Sequence, residues 1–130
     1  MNDPMNVFVG MTFSDVVVDN DENRIYFQTE CGRFFRMYHE QDCCEHVYIE
    51  SIVGDIQDLI GSPILRAEES SNSNENSDGS ATWTFYKFAT RKGYVDIRWY
   101  GESNGYYSES AYIVETESLK GEVKYDLERW

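Results

Sequence analysis

The chain has 130 residues, enough for one core that buries roughly two thirds of the surface an unfolded chain exposes. Ten Tyr, seven Phe and three Trp exclude a disordered chain, which could not carry so many large apolar rings. The 24 acidic and 11 basic residues leave a net charge of −13, a field that repels phosphates and so excludes direct, non-specific nucleic-acid binding.

In chain order, Gly10 to Ser14 lead into the apolar triplet Val16–Val18, and Asp19-Asn20-Asp21-Glu22-Asn23 reads as a polar reversal. Arg24 to Glu30 alternates, with Ile25, Phe27 and Thr29 on one side of a pleat and Arg24, Tyr26 and Gln28 on the other. Cys31-Gly32 supplies a tight turn, and Arg33 to His39 continues with Phe35 and Met37 opposite Phe34, Arg36 and Tyr38. These three segments predict a β-meander. Gln41 to Glu45 breaks the pattern, and His46 to Ile49 resumes it with Val47 and Ile49 on one face.

From Ile52 the apolar spacing changes to three and four residues (Ile52, Ile56, Leu59, Ile60), with Gly61-Ser62-Pro63 as a stop, which predicts a short amphipathic helix over 52–60. Ile64 to Ala67 begins another extended segment. Glu68 to Ser80 contains no large apolar residue and reads as a long mobile loop, a tolerated insertion within a single domain spanning 1–130. Thr82–Thr90 and Tyr94–Tyr100, joined by Arg91-Lys92-Gly93, form the clearest strand pair and belong at the centre of a sheet. Trp83, Phe85, Val95, Ile97 and Trp99 are read as its apolar face, with Tyr86, Phe88, Tyr94 and Tyr100 on the other side. Tyr106–Val114 predicts one more short element, and Val123, Leu127 and Trp130 carry the spacing of a C-terminal helix. The expected fold class is therefore α+β, mainly an antiparallel sheet with one short helix and a second at the C-terminus.

Neither secretion nor membrane insertion is expected: no basic start and apolar run precede Asp3, and runs such as Val16–Val18 are too short to span a bilayer. Three cysteines, with Cys43 and Cys44 adjacent, do not write a disulfide framework, so a reducing cytosol is the expected compartment. The charge is also uneven. Residues 81–100 hold Lys87, Arg91, Lys92 and Arg98 against only Asp96, a local +3 that leaves −16 for the remainder of the −13 total.

Candidate chemistry concentrates between Tyr38 and His46. His39, Cys43, Cys44 and His46 offer the donor types of a zinc site, yet the cysteines touch and no second paired knuckle exists, so no metal and no cofactor is expected. The plainer reading has one of these cysteines buried as a small hydrophobe. A Cys–His nucleophilic pair can be drawn from the same four residues, giving a metal- or thiol-dependent small enzyme as the alternative function. With no nucleophile elbow and no glycine-rich phosphate loop, catalysis is not the expected activity. The acidic residues Asp19, Asp21, Glu22, Glu40, Asp42, Glu45, Asp55 and Asp58 are candidates for contact with a partner protein. Tyr86, Phe88, Tyr94 and Tyr100 beside Lys87 and Arg98 could form a base-stacking platform, but the net charge favours a structural role for them.

Two blocks carry a resemblance. Tyr38–Glu45 (YHEQDCCE), with Val47–Glu50 and Gly54–Ile64, and the longer run Trp83–Thr90 with Lys92–Ser108 (WTFYKFAT, KGYVDIRWYGESNGYYS), resemble an uncharacterised family of small proteins encoded by bacteriophages and related mobile elements. The likeness covers residues 11–114, and residues 115–130 depart from it. It implies a viral or prophage origin and action in the host-cell cytoplasm, and it carries no activity.

The expected function is that of a small acidic phage protein that binds and modulates or inhibits a host protein. The partner would have a basic surface and handle nucleic acid or serve antiviral defence, in an anti-CRISPR-like or other anti-defence role. A duplex presents a charge every 1.7 Å or so, and a domain about 28 Å across would need about 16 charges on one side to match it, so partial mimicry is expected rather than full imitation. A virion or replication accessory protein, whose acidity only aids solubility, is the further alternative.

Overall fold

The computed structural model describes residues 4–41, 43–76, 79–104, 108–119 and 123–126. Among the described residues nine strands, β1 (Phe13–Asp19), β2 (Arg24–Thr29), β3 (Phe34–Tyr38), β4 (His46–Val53), β5 (Arg66–Asn76), β6 (Gly79–Thr90), β7 (Gly93–Ser103), β8 (Tyr112–Thr116) and β9 (Val123–Asp126), form two antiparallel sheets. Their orders are β1-β2-β3-β8-β9 and β4-β7-β6-β5. The chain passes from the first sheet to the second after β3 and returns after β7.

The expected meander is present. Ile25, Phe27 and Thr29 of β2 and Phe35 and Met37 of β3 face inward, as their alternation requires. Asp19 closes the β1–β2 turn by accepting from the amides of Asp21 and Glu22, both at 3.1 Å, and Asn23 takes a positive φ of 53° to complete it. Across from this sheet, β6 and β7 are central strands and contribute Tyr86, Phe88, Val95, Ile97 and Trp99 to the same core. The two inner faces meet through rings: Phe88 lies 5.6 Å from Phe27 and 6.0 Å from Phe13. Between them sits Phe8, from a 3₁₀ turn at Pro4–Phe8, in edge contact with Phe13, Phe35 and Phe88. The segment before Gly10, which has no strand pattern, thus supplies a fully buried plug.

Four expectations are corrected. The fold is all-β rather than α+β, because the proposed 52–60 helix divides between two structures. Ile52 and Val53 remain in β4, paired with Ile97 and Asp96, and Gly54 then turns the chain at φ 102°. Only Ile56–Leu59 coils, as a single 3₁₀ turn capped by the Asp55 carboxylate on the Gln57 amide at 2.9 Å. A segment this short cannot nucleate a helix by propensity, and cross-strand pairing gives Ile52 a better burial site.

Second, the polar run expected to be a mobile loop is largely β5, paired residue for residue with β6 from Arg66↔Ala89 to Asn76↔Gly79. An edge strand needs few apolar side chains when its neighbour supplies hydrogen-bond partners, and the exposed Ser70, Ser71, Asn72, Ser73 and Asn74 suit an edge. Third, residues 123–126 form β9 against β8 instead of starting a helix, while Leu127 and Trp130 lie outside the described residues. The element expected over 106–114 is β8, which begins only at Tyr112.

The fourth correction concerns which side of the central hairpin faces the core. Thr90 pairs with Gly93, leaving a two-residue turn of Arg91 and Lys92, so Trp83 pairs with Tyr100 and Phe85 with Arg98. Paired residues share a face, and a one-residue change in the turn reverses every side chain of one strand relative to the other. Trp83 and Phe85 therefore point outward with Tyr100, while Tyr86 and Phe88 are core residues beside Val95, Ile97 and Trp99.

Candidate binding face

The Cys/His segment is built as a structural knot. His39 Nε2 lies 2.9 Å from Glu45 Oε2, and His39 Nδ1 lies 2.9 Å from the Ser110 carbonyl, with the ring stacked on Tyr112. A carbonyl can only accept, so Nδ1 carries hydrogen, and the second contact holds one more proton between ring and carboxylate. Both nitrogens are thereby occupied, and the two side chains are 3% and 0% exposed. Glu45 Oε1 also accepts from the Cys43 amide at 3.0 Å and from Gln41 Nε2 at 3.2 Å. His39 thus has no free lone pair for a metal. What the arrangement does is join the crossing after β3 to the crossing after β7.

The other candidates of this segment are elsewhere. Cys43 and Cys44 are exposed and bonded to each other, and Cys31 is exposed beside Thr29, so none is the buried hydrophobe expected of one of them. His46 is 71% exposed, rests on Tyr48, and reaches only Glu102 at 4.0 Å. Among the described residues no three His, Cys, Asp or Glu side chains converge as a metal site would require.

A second knot secures the return crossing. Burial pushes the Glu109 carboxyl up, but hydroxyls from Ser103, Ser80 and Thr82 outweigh it and hold the group below the usual carboxylate range. Gly101 is required opposite it, since a Cβ there would stand 2.8 Å from the Glu109 carbonyl carbon and overlap its oxygen. Nearby, Tyr86 Oη donates to the Ala111 carbonyl at 3.0 Å.

The acidic candidates do not gather on one surface. Asp19 is used in its turn, Glu22 pairs with Arg24 at 3.6 Å, Glu40 is exposed, and Asp42 lies outside the described residues. Asp21 is exposed at the same turn, Glu45 is buried, and Asp55 caps the 3₁₀ turn. Asp58 packs on Gly93, its carbonyl accepting from Thr90 Oγ1 at 2.6 Å. Asp55 and Asp58 follow the far end of β4 from Glu40 and Glu45, and its eight residues separate the two groups by about 25 Å.

What the fold does assemble is the outer face of the four-stranded sheet. Its register aligns four rungs, His46–Glu102–Ala81–Asn74, Tyr48–Tyr100–Trp83–Asn72, Ser51–Arg98–Phe85–Ser70 and Val53–Asp96–Lys87–Glu68. The second rung is a row of rings, with Tyr48 5.7 Å and Trp83 5.1 Å from Tyr100, inclined at 62° and 56°. In the third, the Arg98 guanidinium lies 5.5 Å from the Phe85 ring centre and bonds Glu50 at 3.2 Å. Tyr100 Oη donates to Glu102 at 3.1 Å, a bond that raises the phenol's pKa and keeps it a neutral donor. An open trough of about 580 Å³ covers the third and fourth rungs, and a recess of about 440 Å³ adjoins Tyr100 and Glu102. Alternation alone predicts Trp83 and Phe85 as core, whereas the two-residue turn puts them on the face opposite Val95, Ile97 and Trp99.

Residues 6–113 match the model of a family described as a domain of unknown function, DUF7448. The chain belongs to the DUF7448 family. The matched span runs from the 3₁₀ plug to the middle of β8 and so takes in both knots and the whole outer face of the four-stranded sheet. No curated protein and no solved structure matches the chain.

Proposed function

We propose that this DUF7448 protein acts by binding a partner protein, and that the outer face of the β4-β7-β6-β5 sheet is its binding surface. The observation that carries the reading is the half-buried row Tyr48–Tyr100–Trp83 with Phe85 beside it, aromatic side chains of the kind that anchor protein interfaces. The net charge of −13 supports a partner with a basic surface. The likeness of the two sequence blocks to phage and mobile-element proteins supports a host protein met in the host cytoplasm, one that handles nucleic acid or serves antiviral defence and is modulated or inhibited by occupation of its basic surface. The scatter of the acidic side chains favours partial over full imitation of a nucleic acid. The occupied nitrogens of His39 weigh against the alternative of a metal- or thiol-dependent enzyme.

The test is capture from host lysate at rising salt, followed by reconstitution of the complex from purified proteins. A saturable complex that weakens with salt and is lost in Trp83→Ser/Tyr100→Ser is expected, and Cys43→Ser/Cys44→Ser should bind as well as the parent. A complex indifferent to salt would exclude the electrostatic mechanism, and one indifferent to the aromatic substitutions would exclude this face.

A further inference from the structure

The four-stranded sheet already shows how it holds a cation. Arg98 is sandwiched between an aromatic ring, Phe85, and a carboxylate, Glu50, on its outer face. The adjoining rungs repeat the set of groups. Tyr48, Tyr100 and Trp83 present inclined ring faces, and Glu102 stands one rung away with its side chain 55% exposed. Among the described residues the Arg side chains that lie over rings are Arg24 and Arg36 on Tyr38, Arg33 on Phe35 and Arg98 on Phe85, so no Arg or Lys lies over this second set, whose neighbours are the exposed His46 beside Tyr48, 4.0 Å from Glu102, and the Tyr100 hydroxyl on Glu102.

We infer that the Tyr48–Tyr100–Trp83 row with Glu102 is a receptor for an arginine side chain projecting from the partner protein. The inference rests on the binding reading above and names the chemistry of its contact. A guanidinium laid against a Tyr or Trp face gains cation–π attraction, and a carboxylate at the rim directs its N–H groups. Nucleic acid is the less favoured occupant of the same rings, because the cations of this face, Arg66, Lys87 and Arg98, are already paired with Glu68, Asp96 and Glu50, and these carboxylates with Glu102 face its phosphates. Arginine fits better than lysine, since its flat weakly hydrated group can stack while it donates to Glu102.

The full-length protein, isotope-labelled, is titrated in nuclear magnetic resonance with a six-residue peptide of alternating Arg and Gly, and with the same peptide carrying citrulline for Arg. Citrulline keeps the shape and removes the charge. Expected are saturable shifts of the Trp83 indole N–H and of amides in 46–50, 81–85 and 98–102, with citrulline at least tenfold weaker. Tyr100→Leu and Glu102→Gln should each weaken the Arg peptide at least threefold, Tyr100→Phe should preserve it, and Asp15→Asn, on the exposed side of β1 in the other sheet, should leave it unchanged. Equal binding of the citrulline peptide, non-saturating shifts spread over acidic residues elsewhere, or shifts of this face by a single-stranded oligonucleotide but not by the peptide would each overturn the inference. The outcomes separate the two readings. A protein partner lost in Trp83→Ser/Tyr100→Ser, together with a silent Arg peptide, sinks only the arginine receptor, whereas a partner that still binds that variant sinks the face itself.

Discussion

At the scale of single residues, the side chains that look most reactive are spent on architecture. His39 and Glu45 are hydrogen-bonded inside the molecule and join the two inter-sheet crossings, so removing one leaves the other buried without its partner. Glu45→Ala should lower stability by about 2–4 kcal/mol, the range for an orphaned buried charge or hydrogen-bonding group, read as a shifted denaturant midpoint with unchanged slope. Glu109 makes the complementary case. Its carboxyl is held below its ordinary value, so its contribution is complete above the unfolded-state pKa of about 4.3 and fades as the pH falls through the lower folded-state value. Glu109→Gln should therefore be less stable than the parent at pH 7, and the gap should narrow in acid. A gap that widened as pH fell would contradict the assigned direction.

At the scale of elements, pairing partners decide more than local pattern does. The polar segment 66–76 is a strand because β6 offers it a full ladder, although only Ala67 within it is a buried apolar residue. Hydrogen exchange checks this: β5 amides bonded to β6 should be protected well above the level of an open loop, while the core strands β6 and β7 exchange slowest. Uniformly unprotected amides over 66–76 would restore the loop. The same dominance of pairing ended the 52–60 helix, whose first apolar residue is better used opposite Ile97. Strand existence was legible from alternation at β2, β3, β6 and β7. The side of β6 that faces the core was not, because it depends on whether the Arg91-Lys92 turn counts two residues or three.

At the scale of the whole molecule, charge acts on folding and binding in opposite ways. A net charge of −13 repels itself in the compact state, so added salt should raise the melting temperature as the screening length falls to about 8 Å near 0.15 M. The same salt should weaken a complex with a basic partner. A melting temperature that fell over that range would indicate that local ion pairs, such as Arg33 with the buried Glu115 at 2.9 Å, outweigh the global repulsion. Composition and alternation by themselves determined a folded, acidic, mainly antiparallel β-protein with a meander and a central hairpin, because these follow from residue type and a period of two. Only the tertiary structure decided the inward turn of His39, the outward turn of Trp83 and Phe85, and the rung that unites Tyr48 with the sequence-distant Trp83 and Tyr100. Each of these depends on cross-strand register and on contacts between distant segments, which no local spacing records.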